Sequence, residues 1–295
     1  MLAPPMTQVL ADDDKTPIRI GITVPEGHDA ARLQHSRLDA FAEALAAAVG
    51  FEVTGKVYGN YREILDAMHA GAVEMAWLPP VIALRAAARG RTLPIALPVR
   101  GGTSFFSSAL FTRPGSPLKS PADLFRVSAA WVDKQSAAGY LVVRASLRAQ
   151  GIDLGHAFAA ESFLGSHEAV VQAVLSGAID VGATFAHLDA AQQRVTRGGW
   201  GTATPQVIAY AGPIPADVVA ASIRMPAPQI RAVQRALCGG TSAELLRTAS
   251  MLLGAEGFVP ARSEHLDPLN HLLGYLEDIR HDSSIPPPGD AGSAG

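Results

Sequence analysis

The chain has 295 residues, 48% of them hydrophobic and 17% charged, enough to bury a sizeable core and to form two lobes. A net charge of −3 supplies no basic field for nucleic acid and no polybasic patch for a membrane surface. Its one cysteine, Cys238, excludes an intramolecular disulfide framework. No apolar run is long enough for a membrane helix: the best, residues 72–84, is broken by Glu74, Pro79 and Pro80.

The termini, 1–17 and 281–295, read as disordered, the second from its Pro/Gly/Ser-rich composition. Between them strands and helices alternate. Residues 18–24 form a β-run, followed by a helix carrying Leu33, Phe41, Leu45 and Ala48 or Val49 on one face. A strand over 53–58, a helix over 61–70 with Ile64, Leu65 and Met68 as apolar positions, and a strand over 73–78 come next. This βαβαβ order implies a parallel sheet covered by helices on both faces. A second unit begins near Phe105, with a strand over 107–112 and a helix start at Ser120-Pro121-Ala122-Asp123. A strand over 127–132 then runs into Ser136, followed by a helix to about Gln150. A helix after Ser166 carries Val170, Val171, Val174 and Leu175, and strands cover 179–183, 207–210 and 218–223. Pro228 opens a helix with Ile230, Val233 and Leu237, and two more helices close the chain. Cys238, at the end of that helical pattern, reads as a buried structural thiol.

Catalytic signatures fail. His167-Glu168 is followed by Val171 where HExxH needs a second histidine, and no GxSxG, GxxxxGK or GxGxxG occurs. Ser116-Pro117-Leu118-Lys119 matches S-x-x-K but has no Lys-Thr-Gly partner. The 9 histidines show no metal-ligand spacing backed by cysteine, and neither a metal nor a cofactor is expected.

Two stretches carry chemistry instead. Ser136-Ala137-Ala138-Gly139-Tyr140 and Gly165-Ser166-His167-Glu168 place small or hydroxyl residues where a strand ends and an amphipathic helix begins. Amides at such helix starts have no internal acceptors and lie at the positive end of the dipole, so they favour anions. His167 is either a donor to that anion or an ordinary first-turn surface residue. Asp217 is either an acceptor for a cationic group or a turn former. Tyr61, Trp77 and the pair Phe105-Phe106 lie at strand ends or helix starts, where aromatics serve either the core or, in α/β proteins, a ligand.

Taken in order, these pieces resemble the phosphate-, phosphite- and phosphonate-binding proteins of bacterial ABC importers, of the type II periplasmic binding protein fold. The resemblance spans nearly all of 18–275: Asn60-Tyr61, Met75-Ala76-Trp77-Leu78-Pro79-Pro80, Gly102 to Ser108, Leu118 to Leu124, the two helix starts, Gly182-Ala183-Thr184, Pro213 to Asp217 and Gly257-Phe258-Val259-Pro260. It implies two α/β lobes, 18–103 with 213–280 and 104–212. Each has a central, mostly parallel sheet flanked by helices, and a two-segment hinge lets them close on a ligand in the cleft. It implies a small oxyanion held by Ser136, Ala137, Ala138, Gly139 and His167, with Tyr61, Trp77, Phe106, Thr184 and Asp217 around it. Asp217 matches an acid that meets a ligand amino group in some members. The expected protein is a monomeric solute-binding protein, not an enzyme, serving an ABC permease or a sensor, periplasmic or lipid-anchored. The N-terminus shows no basic start or apolar stretch of a secretory signal, so a cytoplasmic enzyme or sensor component on the same scaffold, like the menaquinone-pathway lyases, is the alternative. Ser-Ala-Ala-Gly at 136–139 replaces the family's usual Ser-Thr-Ser-Gly, phenylalanine stands at 105–106 where a tyrosine is common, and Pro79 stands where glycine is more frequent. These changes point to a less charged, bulkier or more apolar ligand, or to weak phosphonate binding.

Overall fold

The computed structural model describes residues 16–23, 28–189 and 194–277. The ends expected to be disordered lie outside them, except for Thr16 and Pro17; the Thr16 carbonyl accepts a hydrogen bond from Gln229 Nε2 at 2.7 Å. In chain order the described elements begin with β1 (Ile18–Thr23), α1 (His28–Val49), β2 (Val53–Tyr58), α2 (Tyr61–Ala70), β3 (Met75–Leu78), α3 (Pro80–Ala88), β4 (Thr92–Val99) and β5 (Phe105–Thr112). They continue with β6 (Val127–Trp131), a π-helical turn (Ala137–Leu141), α4 (Val142–Ala149), α5 (Leu154–Ala157), β7 (Phe158–Phe163), α6 (His167–Leu175), β8 (Val181–Leu188) and β9 (Val195–Gly198). β10 (Gln206–Pro215), β11 (Val218–Ser222), α7 (Ala227–Cys238), α8 (Ala243–Leu253), β12 (Gly257–Pro260) and α9 (Ser263–Glu277) follow.

The chain forms two compact units. Among the described residues, the first comprises those up to Ser104 and Pro215–His265, and the second Phe105–Ile214 and 266–277.

In the first unit the sheet order is β12-β4-β11-β3-β1-β2. β1 pairs in parallel with β2 and β3, while β11, β4 and β12 add antiparallel ladders. The sheet is therefore mixed rather than mostly parallel. β11 arrives after the chain has built the second unit, and no helical crossover obliges it to run parallel. α1 buries Leu38, Phe41, Ala42 and Leu45, but Leu33 is 52% exposed, against the expectation that it shared that face. A helix of 22 residues is about 33 Å long and a six-residue strand about 20 Å, so its first turns overhang the sheet. α2 starts where the sequence placed it: Asn60 Oδ1 accepts from the Glu63 amide at 3.0 Å, and Gly71 ends the helix at φ 74°. Pro80 opens α3 at its first position, where a missing N–H costs nothing.

The second sheet has the order β10-β5-β8-β6-β7, with β9 paired to β8. β6 is parallel to β7 and β8, and β5 and β9 run antiparallel to β8, so this sheet is mixed too. The helix expected after Ser120 is a single 3₁₀ turn, Pro121–Asp123, although its capping box forms. Cys238 is half-buried against the first unit's core, and burial pushes its thiol up to about 11, as an inert thiol requires.

One ion pair ties the amino end of the first sheet. Glu74 is buried; its carboxylate accepts from the Arg19 amide at 2.8 Å and from Arg19 Nε at 2.9 Å, while Arg19 Nη2 donates to the Gly71 carbonyl at 2.7 Å. The bridge locks β1 to the turn between α2 and β3. Glu74→Ala leaves the guanidinium without its partner, and because Arg19 is partly exposed the loss is about 2 kcal/mol rather than the larger cost of a fully buried pair. Urea unfolding measures it, and ligand affinity of the folded variant stays unchanged because the bridge lies at the opposite strand ends from Thr23 and Trp77.

Candidate functional site

In each unit, consecutive parallel strands leave on opposite sides of one strand. β2 and β3 flank β1, and β7 and β8 flank β6. A sheet with this topology opens a crevice beyond the carboxyl ends of its strands.

In the second unit, that end carries both small-residue turns, and one residue joins them. The Val132 amide donates to the Gly139 carbonyl at 3.2 Å, and the Val132 carbonyl accepts from the Gly165 amide at 2.9 Å. Ser136 Oγ accepts from the Gly139 amide at 3.0 Å, and the Leu141 amide donates to the Ser136 carbonyl at 3.0 Å, which widens the turn into a π-helical one. The Gly139 amide is therefore taken. Those of Ala137 and Ala138 precede the first helical acceptor and have no protein partner among the described residues. Ala138 is buried, and a buried N–H needs a partner. Ser108 Oγ donates to the Ala138 carbonyl and seats the turn on β5. Across from it, Ser166 Oγ caps α6 by accepting from the Ala169 amide at 3.1 Å.

His167, the first residue of α6, points inward. Its Nδ1 lies 2.9 Å from Thr184 Oγ1, and its ring stands edge-on to Phe185 at 5.2 Å. When the Thr184 hydroxyl donates to Nδ1, the proton sits on Nε2, which is then a donor. Burial holds the imidazole below its usual 6.5, opposed by the charge of Asp133, so it is neutral at pH 7. Thr184 is fully buried and acts through this ring. Phe106 lies against His187 at 5.9 Å, His187 against Phe185 at 5.9 Å, and Arg197 covers Phe185 at 5.7 Å.

The first unit has a pocket of about 430 Å³ lined by Ile22, Thr23, Gln34, Tyr61, Trp77, Arg100, Asp217, Leu252 and Leu253. Tyr61 opens α2 and is hydrogen-bonded to Thr23; burial raises its hydroxyl above the usual 10, so it stays protonated. Arg100 Nη2 donates to Asp217 Oδ2 at 3.2 Å and to the Leu253 carbonyl at 2.7 Å, and Nε donates to the same carbonyl at 3.2 Å. The guanidinium also covers the Trp77 ring at 5.7 Å.

Ser136, Ala137, Ala138, Gly139, His167 and Thr184 are thus brought together in the second unit, with Phe106 on the adjoining sheet face. Tyr61, Trp77 and Asp217 share the first unit's pocket. Sequence reasoning missed Arg100, Gln34, Phe185, His187 and Arg197. Arg100 carries a readable signal, a basic residue after a β-run and before Gly101-Gly102. Among the described residues no helix is long and apolar enough to cross a membrane, and no His/Cys/Asp/Glu group could hold a metal ion.

The two α/β units have the type II periplasmic binding protein fold, and solved structures share it. XAC2383 from Xanthomonas citri, solved bound to ATP, is similar over 91% of this chain and 99% of its own, at 19% identity and TM-score 0.69. A binding protein component of an ABC phosphonate transporter from Pseudomonas aeruginosa matches 92% of this chain and 91% of its own, at 20% identity and TM-score 0.64. PhnD1 from Prochlorococcus marinus, solved with methylphosphonate, matches 91% of this chain and 100% of its own, at 16% identity and TM-score 0.61. No curated protein matches by sequence. The family model "ABC transporter, phosphonate, periplasmic substrate-binding protein" covers residues 28–266, and the chain belongs to that family, one of transporter binding proteins and not of enzymes.

The join at Val132 makes a prediction. A Cβ on Gly139 would lie 2.3 Å from Val132 Cγ2 and 2.8 Å from Ser136 Oγ, whereas one on Gly165 meets nothing within 4 Å. Gly139→Ala therefore costs about 1–3 kcal/mol by overpacking and displaces the turn, weakening ligand binding as well. Gly165→Ala carries only the strain of φ +81°, about 1 kcal/mol. Thermal unfolding and ligand titration of both variants separate the two effects.

Proposed function

We propose that this chain captures a small oxyanion of the phosphonate type and presents it to the permease of an ABC importer, in the periplasm. The second unit holds the oxyanion through the amides at 137 and 138 and through His167. The observation that carries this reading is the pair of helix-start turns bonded to the two sides of Val132, with the amides of half-buried Ala137 and buried Ala138 left without a protein partner among the described residues. Family membership supports the transport role. Where the family's hydroxyl side chains are replaced by Ala137 and Ala138, each missing bond to a charged oxygen costs about 1.5–3 kcal/mol, so affinity for bare phosphate is weak.

Calorimetric titration with methylphosphonate, ethylphosphonate, phosphite, phosphate and an alkylsulfonate tests the reading. Saturable 1:1 heat with at least one alkylphosphonate, stronger than with phosphate, is expected; no heat with any of the five overturns it.

The imidazole adds a pH signature. With its folded value below 6.5, His167 stays neutral in the native protein where the unfolded chain is already protonated. Its contribution to stability is thus complete above pH 6.5 and declines as pH falls through that value towards the folded one. A bound anion favours the imidazolium, so binding takes up a proton, and affinity rises as pH falls from 8 to 6. His167→Gln removes that slope while leaving the ligand's own ionisation in place; methylphosphonate titrations in two buffers of different ionisation enthalpy measure the difference.

A further inference from the structure

The first unit's pocket contains one basic and one acidic side chain, Arg100 and Asp217, and they are bonded to each other at 3.2 Å. Two carbonyl bonds to Leu253 fix the guanidinium, and it lies over the face of Trp77. The two features that would draw a cation into this pocket, a carboxylate and an indole face, are both occupied by the chain's own cation. An ammonium entering beside Asp217 meets the guanidinium at close range in a partly dry site, where like charges repel strongly. A carboxylate meets the mirror problem, because Asp217 already cancels Arg100. An apolar wall of Ile22, Leu252 and Leu253 completes the pocket. Gln34 Oε1 is buried without a hydrogen-bond partner, an acceptor waiting for a neutral donor.

We infer that this pocket takes an uncharged organic group, a hydroxyl-bearing one by preference, and that the Arg100–Asp217 pair sets the charge preference. This rests on the oxyanion reading above and narrows it. It also revises the expectation that Asp217 receives a ligand amino group: the carboxylate is built in, but Arg100 has closed it to that use. Gln34 accepts the substituent's hydroxyl, which separates a hydroxyalkyl from a plain alkyl chain.

The test is a near-isosteric series: ethylphosphonate, 2-hydroxyethylphosphonate, 2-aminoethylphosphonate and phosphonoacetate, titrated into the wild-type protein and into Arg100→Gln, Asp217→Asn and Gln34→Leu. In the wild type the two neutral ligands bind about tenfold or more tighter than the two charged ones, equivalent to about 1.4 kcal/mol. Arg100→Gln frees the carboxylate and moves the preference to the aminoethyl ligand; Asp217→Asn moves it to phosphonoacetate; Gln34→Leu removes the advantage of the hydroxyl. Wild-type affinities that are equal across the series, or highest for the aminoethyl compound, overturn this inference and leave the oxyanion reading standing. No binding by any of the four overturns both. The wild-type series needs no variant to fold, and circular dichroism with thermal unfolding qualifies each variant before its titration counts.

Discussion

Everything distinctive in the second unit depends on the backbone of Val132. One residue beyond the end of β6, it donates to one turn and accepts from the other. A strand end that served a single turn would leave the second to be positioned by side chains. Here two helix starts, separated by nearly thirty residues of chain, are held on one peptide unit. The arrangement requires that the 136–139 turn press against the Val132 side chain, which only glycine at 139 permits. It also requires that β6 be rigid. Trp131, with no exposed surface, supplies this: its ring packs edge-on to Phe158 at 5.3 Å, its Nε1 donates to Glu161 at 2.7 Å, and Arg144 covers the ring and pairs with the same carboxylate. A fully desolvated indole whose one polar atom is satisfied is an anchor without a penalty.

The two units share a topology but solve recognition with different chemistry. The second unit presents backbone amides and an unprotonated imidazole, with Arg197 over Phe185 and Lys134 over Phe163. The first presents a fixed ion pair on an indole. Amide and imidazole donors stabilise an anion without carrying charge of their own.

Much of the fold is legible in the chain because its signals are local. β2 and α2 appear within the expected bounds, since alternation, the Asn60 cap and Gly71 act over a few residues. Residues 81–101 carry no local signal from which an element is expected. Pro79-Pro80 looks like a break, yet a proline at the first helical position is a start. Pro94 and Pro98 argue against a strand in β4, yet the ladder shifts register between Val219 and Ala220, opposite Pro94, and the sheet accepts the proline there. β7 escaped because five of its six residues are exposed and no alternation marks it. The site divides the same way. The turns of the second unit announce themselves by small residues in a row. The first unit's pocket depends on Arg100 meeting Asp217 across 117 residues and Leu253 across 153, and no local pattern encodes such a meeting.

That contrast bears on how specificity can change in this scaffold. The helix-start turns and their surroundings are constrained at several atoms at once: Gly139 by contact with Val132, Ser136 by its bond to the Gly139 amide, Thr184 by its bond to His167 and by Gly199, where a Cβ would lie 2.0 Å from the Thr184 hydroxyl. Substitution there disturbs packing before it alters chemistry. The pocket of the first unit is looser. Arg100 and Asp217 are each partly exposed, and Gly101 and Gly102, beside Arg100, have open space around them. A change of one charged side chain in that pocket alters its net charge without touching a buried layer. Charge in the first unit's pocket is therefore freer to change than packing in the second unit's turns.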